Sequence, residues 1–159
     1  MVRVLFVCLG NICRSPMAEG LFIHKVKEAG LEDQFEIDSA GTSGWHEGDR
    51  ADARMRETAA SHGVDLPSRS RQVKESDYRR FDYILAMDES NFRNLKEGHT
   101  QTPAATAQLF KMRQFEADAA NENVPDPYYG GQRGFEEVYE MLDRATEGLL
   151  QHIREEQGM

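Results

Sequence analysis

Four short apolar segments stand out in the pattern of hydrophobic and polar positions along the chain. Val2 to Val7 is an unbroken, largely β-branched run, which is typical of a strand buried on both faces of a sheet. Phe35 to Ser39 and Tyr83 to Met87 predict a second and a third strand. Ala107 to Met112 is a candidate fourth strand, inside a stretch (98–124) whose pattern is otherwise weak.

Segments that read as helices lie between these strands. The first and the last of them show clear helical spacing of apolar residues. The segments are Pro16 to about Ala29, Asp52 to His62, Glu75 to Phe81, the stretch that follows Asp88, and Phe135 to about Arg154. Because strands alternate with helices, we predict an α/β fold of three layers with a parallel sheet. No repeat or linker interrupts the pattern, so residues 1–159 are expected to form a single domain.

Composition and charge exclude several classes of protein. The formal net charge is −9, which argues against a nucleic-acid or anionic-membrane surface. We expect no secretory signal, because the apolar run Val2 to Val7 is too short and leads straight into a loop, and no apolar run approaches the ~20 residues of a membrane span. Both cysteines fall in one short loop, so we expect a reduced, cytoplasmic protein and no disulfide scaffold. The cysteines and histidines lack the spacing of metal ligands, so we expect no metal site. We also expect no cofactor, and we expect the protein to be a monomer.

The loop after the first strand carries the candidate chemistry. Cys8 opens this loop and Arg14 closes it, and Ser15 and Pro16 suit the N-cap and first position of the helix that follows. A strand, a tight loop and a helix N-terminus together bind phosphate, because loop N–H groups and the helix dipole point at the anion. In a curled loop, Cys8 lies at the base as a nucleophilic thiolate, and Arg14 holds two phosphoryl oxygens with its planar fork.

The loop sequence VCLGNICRSP resembles the phosphate-binding loop of the low-molecular-weight protein tyrosine phosphatases. A bare Cys-x5-Arg is a weak motif, whereas Cys-x-Gly-Asn-x-Cys-Arg-Ser-Pro directly after the first strand is highly specific. The resemblance covers nearly the whole chain and implies a four-stranded parallel sheet and hydrolysis of phosphotyrosine in proteins, with inorganic phosphate as a product. It implies that phosphate is bound by Leu9, Gly10, Asn11, Ile12, Cys13, Arg14 and Ser15.

Asp126 is the candidate general acid, because cleavage of a phosphate monoester needs a proton for the leaving oxygen. It stands in a stiff Pro-Asp-Pro frame, and the stretch Asp126 to Gly130 is similar to the family's acid motif, Asp-Pro-Tyr-Tyr-Gly. The expected reaction has two steps. Cys8 attacks phosphorus while Asp126 protonates the tyrosyl oxygen, and water then hydrolyses the cysteinyl phosphate with Asp126 as base.

The resemblance also implies roles for residues around the loop. Ser15 is expected to donate a hydrogen bond to the Cys8 thiolate, and Glu19 and Asp88 to orient Arg14. The residues expected to lock the loop are Asn11, Ser39 and His62. The residues expected to form aromatic walls around a substrate ring are Trp45, Tyr128 and Tyr129. Simpler interpretations stay open. His62 is also in a position to be a histidine at the end of a helix that interacts with the helix dipole, and the three aromatic residues could simply pack in the core.

Cys13 has two interpretations. It is either a small buried hydrophobic residue or the partner of Cys8 in a reversible disulfide that protects Cys8 from further oxidation.

Three other functions compete with phosphotyrosine hydrolysis. A thioredoxin-coupled arsenate reductase has a similar fold and loop but needs cysteines outside the loop, which this chain lacks. The arginine-phosphate phosphatases resemble the loop but typically carry Thr at the position of Ile12 and lack the paired tyrosines. A binding module without catalysis needs neither Cys8 nor Asp126.

Overall fold

Four strands form one sheet in the computed structural model, which describes the main chain of residues 1–159 and every side chain except that of Tyr129. They are β1 (Val2–Cys8), β2 (Phe35–Gly41), β3 (Tyr83–Ala86) and β4 (Gln108–Lys111). Their order across the sheet is β2-β1-β3-β4, and all neighbours are parallel. The predicted four-stranded parallel sheet is therefore confirmed.

Helices cover both faces of this sheet. They are α1 (Arg14–Glu28), α2 (Ala53–Ser61), α3 (Asp77–Arg80), α4 (Glu89–Gln101) and α5 (Gly131–Gln157). Short 3-10 helices occupy Glu32–Gln34, Met112–Phe115 and Pro127–Tyr129. Within the part of the chain that the structure describes, no helix is both long and apolar enough to cross a bilayer.

The side chains of β1 alternate between two hydrophobic cores. Val4 and Phe6 pack in the core that contains residues of α1, α2 and α5, while Leu5 and Val7 pack in the core that contains residues of α3 and α4. All four are fully buried. The absence of polar alternation in this strand follows from that position, since each face of β1 meets an apolar layer.

Several element boundaries differ from those predicted. β2 continues to Gly41 because Ala40 and Gly41 pair with Val7 and Cys8 of β1. α5 begins at Gly131 rather than at Phe135, with polar residues forming its exposed first turn. The stretch 98–124, which had no clear pattern, contains the end of α4, the predicted fourth strand and a 3-10 helix.

The carboxyl ends of three neighbouring strands meet at one edge of the sheet. β1 ends at Cys8, β2 ends at Gly41, and Asp88 follows two residues after the end of β3. In open parallel sheets, ligands bind in the crevice at this edge. The fold thus collects the predicted site residues at one place.

Candidate active site

The loop between β1 and α1 curls around a cavity. Cys8 and Arg14 are both buried at its ends, and both line the same cavity. Asn11 takes the left-handed conformation, with φ of 57°, which lets the chain reverse in five residues. Among the described residues, none accepts a hydrogen bond from the main-chain N–H groups of residues 9–13. These donors are therefore free for an anion, as expected for a phosphate cradle.

α1 begins two residues earlier than predicted, and this changes the position of Ser15. Cys13 rather than Ser15 is the N-cap residue, and its side chain makes no capping hydrogen bond. Ser15 lies inside the first turn, where its Oγ is 3.0 Å from the Sγ of Cys8. Pro16 fits the same turn because an N–H group there has no partner within the helix. The serine hydroxyl is thus directed at the sulfur instead of at the helix end.

Arg14 is held in place by two acceptors. Its Nη1 donates to Asp88 Oδ2 at 2.7 Å and to the main-chain oxygen of Val124 at 3.1 Å. Burial alone would lower the pKa of Arg14, but negative charge at Cys8, at Asp88 and at Asp126 raises it overall. The guanidinium is therefore a fixed positive charge at the cavity wall. Asp88 does a second task, since its Oδ1 caps α4 by accepting from the main-chain N of Asn91 at 2.8 Å.

A chain of hydrogen bonds supports the loop from behind. The Nδ2 group of Asn11 donates to Ser15 Oγ at 2.8 Å and to Ser39 Oγ at 3.0 Å. The Oδ1 atom of Asn11 accepts from the main-chain N of Arg71 at 3.1 Å. Every polar atom of this side chain is therefore bonded, and the left-handed residue at the loop's turn is fixed to β2 and to the segment before α3.

Glu19 occupies a different place from the one we expected. Instead of contacting Arg14, its Oε1 accepts from Ser39 Oγ at 2.5 Å and from Ser68 Oγ at 2.7 Å. The side chain is buried, and burial raises the pKa of Glu19, although both hydroxyl donors oppose the shift. Glu19 thus ends the chain of hydrogen bonds that begins at Asn11. Sequence reasoning missed Ser68, which has no motif of its own and lies 49 positions from Glu19.

His62 is not part of this network, which corrects a second expectation. It is the C-cap residue of α2, and its ring stacks on Tyr139 with 3.8 Å between the ring centroids. Its Nε2 is 3.0 Å from the carboxylate of Glu136. Its contacts with α5 place it as a helix-end histidine, the simpler of the two interpretations.

Asp126 lines the same cavity as Cys8 and Arg14. Its Oδ1 accepts from the main-chain N of Tyr128 at 3.0 Å and so caps the 3-10 helix Pro127–Tyr129. Its Oδ2 lies 4.0 Å from Arg14 Nη2, and the side chain is 46% exposed. The carboxyl group of Asp126 is therefore open both to solvent and to the cavity.

Aromatic and apolar side chains form the mouth of the cavity. Trp45 and Tyr128 line it and are 82% and 47% exposed, and Leu9 and Ile12 contribute apolar surface. Tyr129, the third predicted wall, has a side chain outside the described residues. His46 also lines the cavity and was missed, because a histidine after a tryptophan in a loop carries no distinctive pattern.

Cys13 lines the same cavity as Cys8, and both cysteines are free thiols. Burial raises the pKa of the Cys13 thiol, and the negative charge of Asp52 raises it further. Cys13 is therefore a neutral thiol and a poor nucleophile. The reversible disulfide with Cys8 stays a prediction.

Comparison with known proteins gives a consistent result. The family model described as low molecular weight phosphotyrosine protein phosphatase matches residues 3–158. A low molecular weight protein-tyrosine-phosphatase of Streptomyces coelicolor is 46% identical over 155 residues, covering 97% of this chain and 94% of the relative. A low molecular weight phosphotyrosine protein phosphatase of Schizosaccharomyces pombe is 44% identical, covering 96% of this chain and 97% of the relative.

Solved structures share the fold as well. A crystal structure of a protein tyrosine phosphatase from Entamoeba histolytica, with Hepes in its active site, superposes with a TM-score of 0.90 at 42% identity and covers 99% of both chains. The Drosophila arginine phosphatase superposes with a TM-score of 0.90 at 35% identity, covering 95% of this chain and 97% of that one.

Proposed function

The chain belongs to the low-molecular-weight phosphotyrosine protein phosphatase family, and from this membership we propose that it hydrolyses phosphotyrosine in proteins. One observation carries the proposal. Cys8, Arg14 and Asp126 line a single cavity at the carboxyl edge of the sheet, with free loop amides between the first two. A nucleophile, an anion-binding cation and a proton donor are the groups that the reaction requires.

The first step forms a bond between sulfur and phosphorus. The Cys8 thiolate attacks phosphorus in line, the bond to the tyrosyl oxygen breaks, and Asp126 donates a proton to that oxygen. Arg14 and the loop amides bind the three remaining oxygens as charge shifts in the transition state. The Ser15 hydroxyl, 3.0 Å from Cys8 Sγ, stabilises the thiolate by donating a hydrogen bond to it.

The second step releases phosphate. Water attacks the cysteinyl phosphate while Asp126, now a carboxylate, accepts a proton from the water. The bond between sulfur and phosphorus breaks, inorganic phosphate leaves, and Cys8 becomes a thiolate again. The half-exposed position of Asp126 supports this double role, because the carboxyl group reaches both solvent and the cavity.

The shape of the cavity supports an aryl phosphate as substrate. Cys8 is only 2% exposed at the base, while Trp45 and Tyr128 stand at the mouth. We expect a phenyl ring to reach from the mouth toward the base and to pack against the faces of these two aromatic side chains. We expect the shorter side chain of phosphoserine not to carry its phosphate to Cys8.

Phosphoarginine is the second candidate substrate. The shared fold with an arginine phosphatase favours it, whereas Ile12 and the paired tyrosines at 128 and 129 favour phosphotyrosine. The proposal extends to the whole chain: residues 1–159 act as one domain and as a monomer in the cytoplasm, on phosphoproteins rather than on nucleic acid or membranes.

The experiment that tests the function compares two peptides of one sequence, one with phosphotyrosine and one with phosphoarginine. We expect release of phosphate from the phosphotyrosine peptide by the wild-type protein and none by Cys8→Ser, which keeps the shape of the site but lacks the thiolate. Cys13→Ser is the matched cysteine variant and should retain activity, because it keeps the Cys8 thiolate and the main-chain N–H groups of the loop. Activity that survives Cys8→Ser would contradict the mechanism, and a preference for phosphoarginine would select the second substrate.

A further inference from the structure

Asp126 depends for its position on the segment that carries it. Its carboxylate is 46% exposed, and its nearest charged partner, Arg14 Nη2, is 4.0 Å away. Its shorter bond is local, from the main-chain N of Tyr128 at 3.0 Å. Whatever holds Tyr128 therefore also determines where the carboxyl group of Asp126 lies.

Arg54, near the start of α2, contacts Tyr128 in two ways. Its guanidinium carbon lies 5.2 Å from the centre of the Tyr128 ring, and its Nη1 donates to the main-chain oxygen of Tyr128 at 3.5 Å. The same guanidinium lies 4.7 Å from the ring centre of Phe135, which is fully buried in α5. Both distances are those of cation–π contacts. Arg54 thus joins the exposed turn at Tyr128 to the core.

Asp52 fixes the guanidinium group in turn. Its Oδ1 accepts from the main-chain N of Arg54 at 2.8 Å and from Nε at 3.2 Å, and its Oδ2 accepts from Nη2 at 3.1 Å. Two nitrogens of the guanidinium therefore meet two oxygens of one carboxylate. The main-chain N of Asp52 donates to the oxygen of Ile12 at 2.7 Å, which ties this pair to the phosphate-binding loop.

We propose that Arg54 is a positioning residue for the general acid, a role that rests on the proposed function of Asp126. Arg54 holds Tyr128, and with it the turn that bears Asp126, at a fixed place relative to the phosphate-binding loop. The edge of the planar Arg54 guanidinium binds the Asp52 carboxylate, and its flat face lies over the rings of Tyr128 and Phe135. The ammonium group of lysine does not reproduce this combination.

The dependence of rate on the leaving group tests this role. A poor leaving group needs the proton from Asp126, whereas para-nitrophenolate needs it much less. For Arg54→Ala we expect kcat/KM on phenyl phosphate to fall about tenfold, since small displacements of a catalytic group are costly and kcat/KM reports the first step, in which the leaving group departs. On para-nitrophenyl phosphate we expect a fall of less than about threefold. Inhibition by inorganic phosphate should be unchanged, because the loop that binds it is intact.

Two further variants separate positioning from general destabilisation. In the Asp126→Ala background, Arg54→Ala should have no additional effect on the leaving-group dependence, because no acid is left to position. Arg54→Lys should fall between Arg54→Ala and the wild type. Arg79→Lys is the matched control: Arg79 bonds a local carboxylate, Glu75, at 3.0 Å and does not line the cavity.

Equal losses of kcat/KM on both substrates in Arg54→Ala, or the same loss with and without Asp126, would overturn the proposal. A failure of the proposed function looks different. In that case Asp126→Ala by itself would show no dependence on the leaving group, or Cys8→Ser would keep its activity.

Discussion

At the scale of single residues, Glu19 is a buried carboxyl group behind the phosphate-binding loop, and none of its hydrogen-bond partners among the described residues is a cation. Glu19 accepts hydrogen bonds from two serine hydroxyls, Ser39 and Ser68. A charged carboxylate in this place is costly because water cannot solvate it. Burial therefore shifts the equilibrium of the carboxyl group toward its neutral, protonated form, compared with the same group in water. For this reason burial raises the pKa of Glu19.

Glu19 should make the stability of the protein depend on pH. A pKa raised by folding means that the folded state binds more protons than the unfolded state between the two pKa values. The free energy of unfolding therefore falls as pH rises from about 4.3, the value for an unfolded Glu, through the raised value. We expect Glu19→Gln to lack this component, so that its stability relative to the wild type improves as the pH rises.

Urea denaturation of both proteins at several pH values measures this difference. Glu140→Gln, at an exposed position of α5, is the matched control and should follow the wild type. A difference between Glu19→Gln and the wild type that does not change with pH would contradict a titrating Glu19.

The residues that sequence reasoning found are those that a local motif defines. Cys8 and Arg14 are joined by a short loop, and Asp126 is framed by two prolines, so adjacent sequence indicates their positions. Glu19 and His62 were assigned wrong partners. The hydrogen bonds of Glu19 cross 20 and 49 positions of the chain and those of His62 cross 74, and only the packed fold decides which side chains meet over such distances.

At the scale of elements, the strands and helices followed from hydrophobic pattern, but their ends did not. α1 begins at Arg14 because the loop winds directly into the helix, a geometry that overrides the capping preference of Ser15. The 98–124 stretch lacked a pattern because polar contacts order much of it. Arg113, for example, donates to Glu116 at 2.8 Å and to the main-chain oxygen of Asn123 at 2.8 Å.

Two glycines of α5 should respond in opposite ways to the same substitution. A Cβ atom at Gly148 would lie 1.9 Å from the main-chain oxygen of Phe115, whereas one at Gly134 would meet nothing closer than 3.7 Å. We expect Gly148→Ala to lower the free energy of unfolding by at least about 2 kcal/mol through overpacking. We expect Gly134→Ala to raise it by up to about 1 kcal/mol, the usual gain of alanine in a helix.

Thermal and chemical denaturation of the two variants measure these changes. Equal effects in both would mean that helix propensity, rather than the close approach of α5 to the 3-10 helix Met112–Phe115, determines the outcome.

At the scale of the whole molecule, the two halves of the site differ in how they are anchored. The nucleophile is the last residue of β1, which pairs with a strand on each side and is buried on both faces. The acid, Asp126, lies on a surface turn that is attached to the rest of the fold at two points. The main-chain N of Val124 donates to the main-chain oxygen of Met87 at 2.8 Å, and the main-chain oxygen of Tyr128 accepts from Arg54. Local stability follows buried contacts and protected hydrogen bonds, so it should be greatest at the nucleophile.

Amide hydrogen exchange should reveal this gradient. We expect the amides of residues 4–7 to exchange only through global unfolding and those of residues 126–130 to exchange much faster. Mass spectrometry of peptides from the two segments, followed over time at one pH, gives the rates. Similar protection in both segments would contradict the difference in anchoring.

Because the two halves of the site are anchored separately, substrate binding and substrate turnover depend on different parts of this molecule. Losing the carboxyl group of Asp126 removes a part that the sheet does not depend on, and it leaves the cradle of amides and Arg14 whole. An Asp126→Ala protein would therefore bind its phosphorylated substrate and release it slowly, so that this one substitution converts the enzyme into a substrate trap.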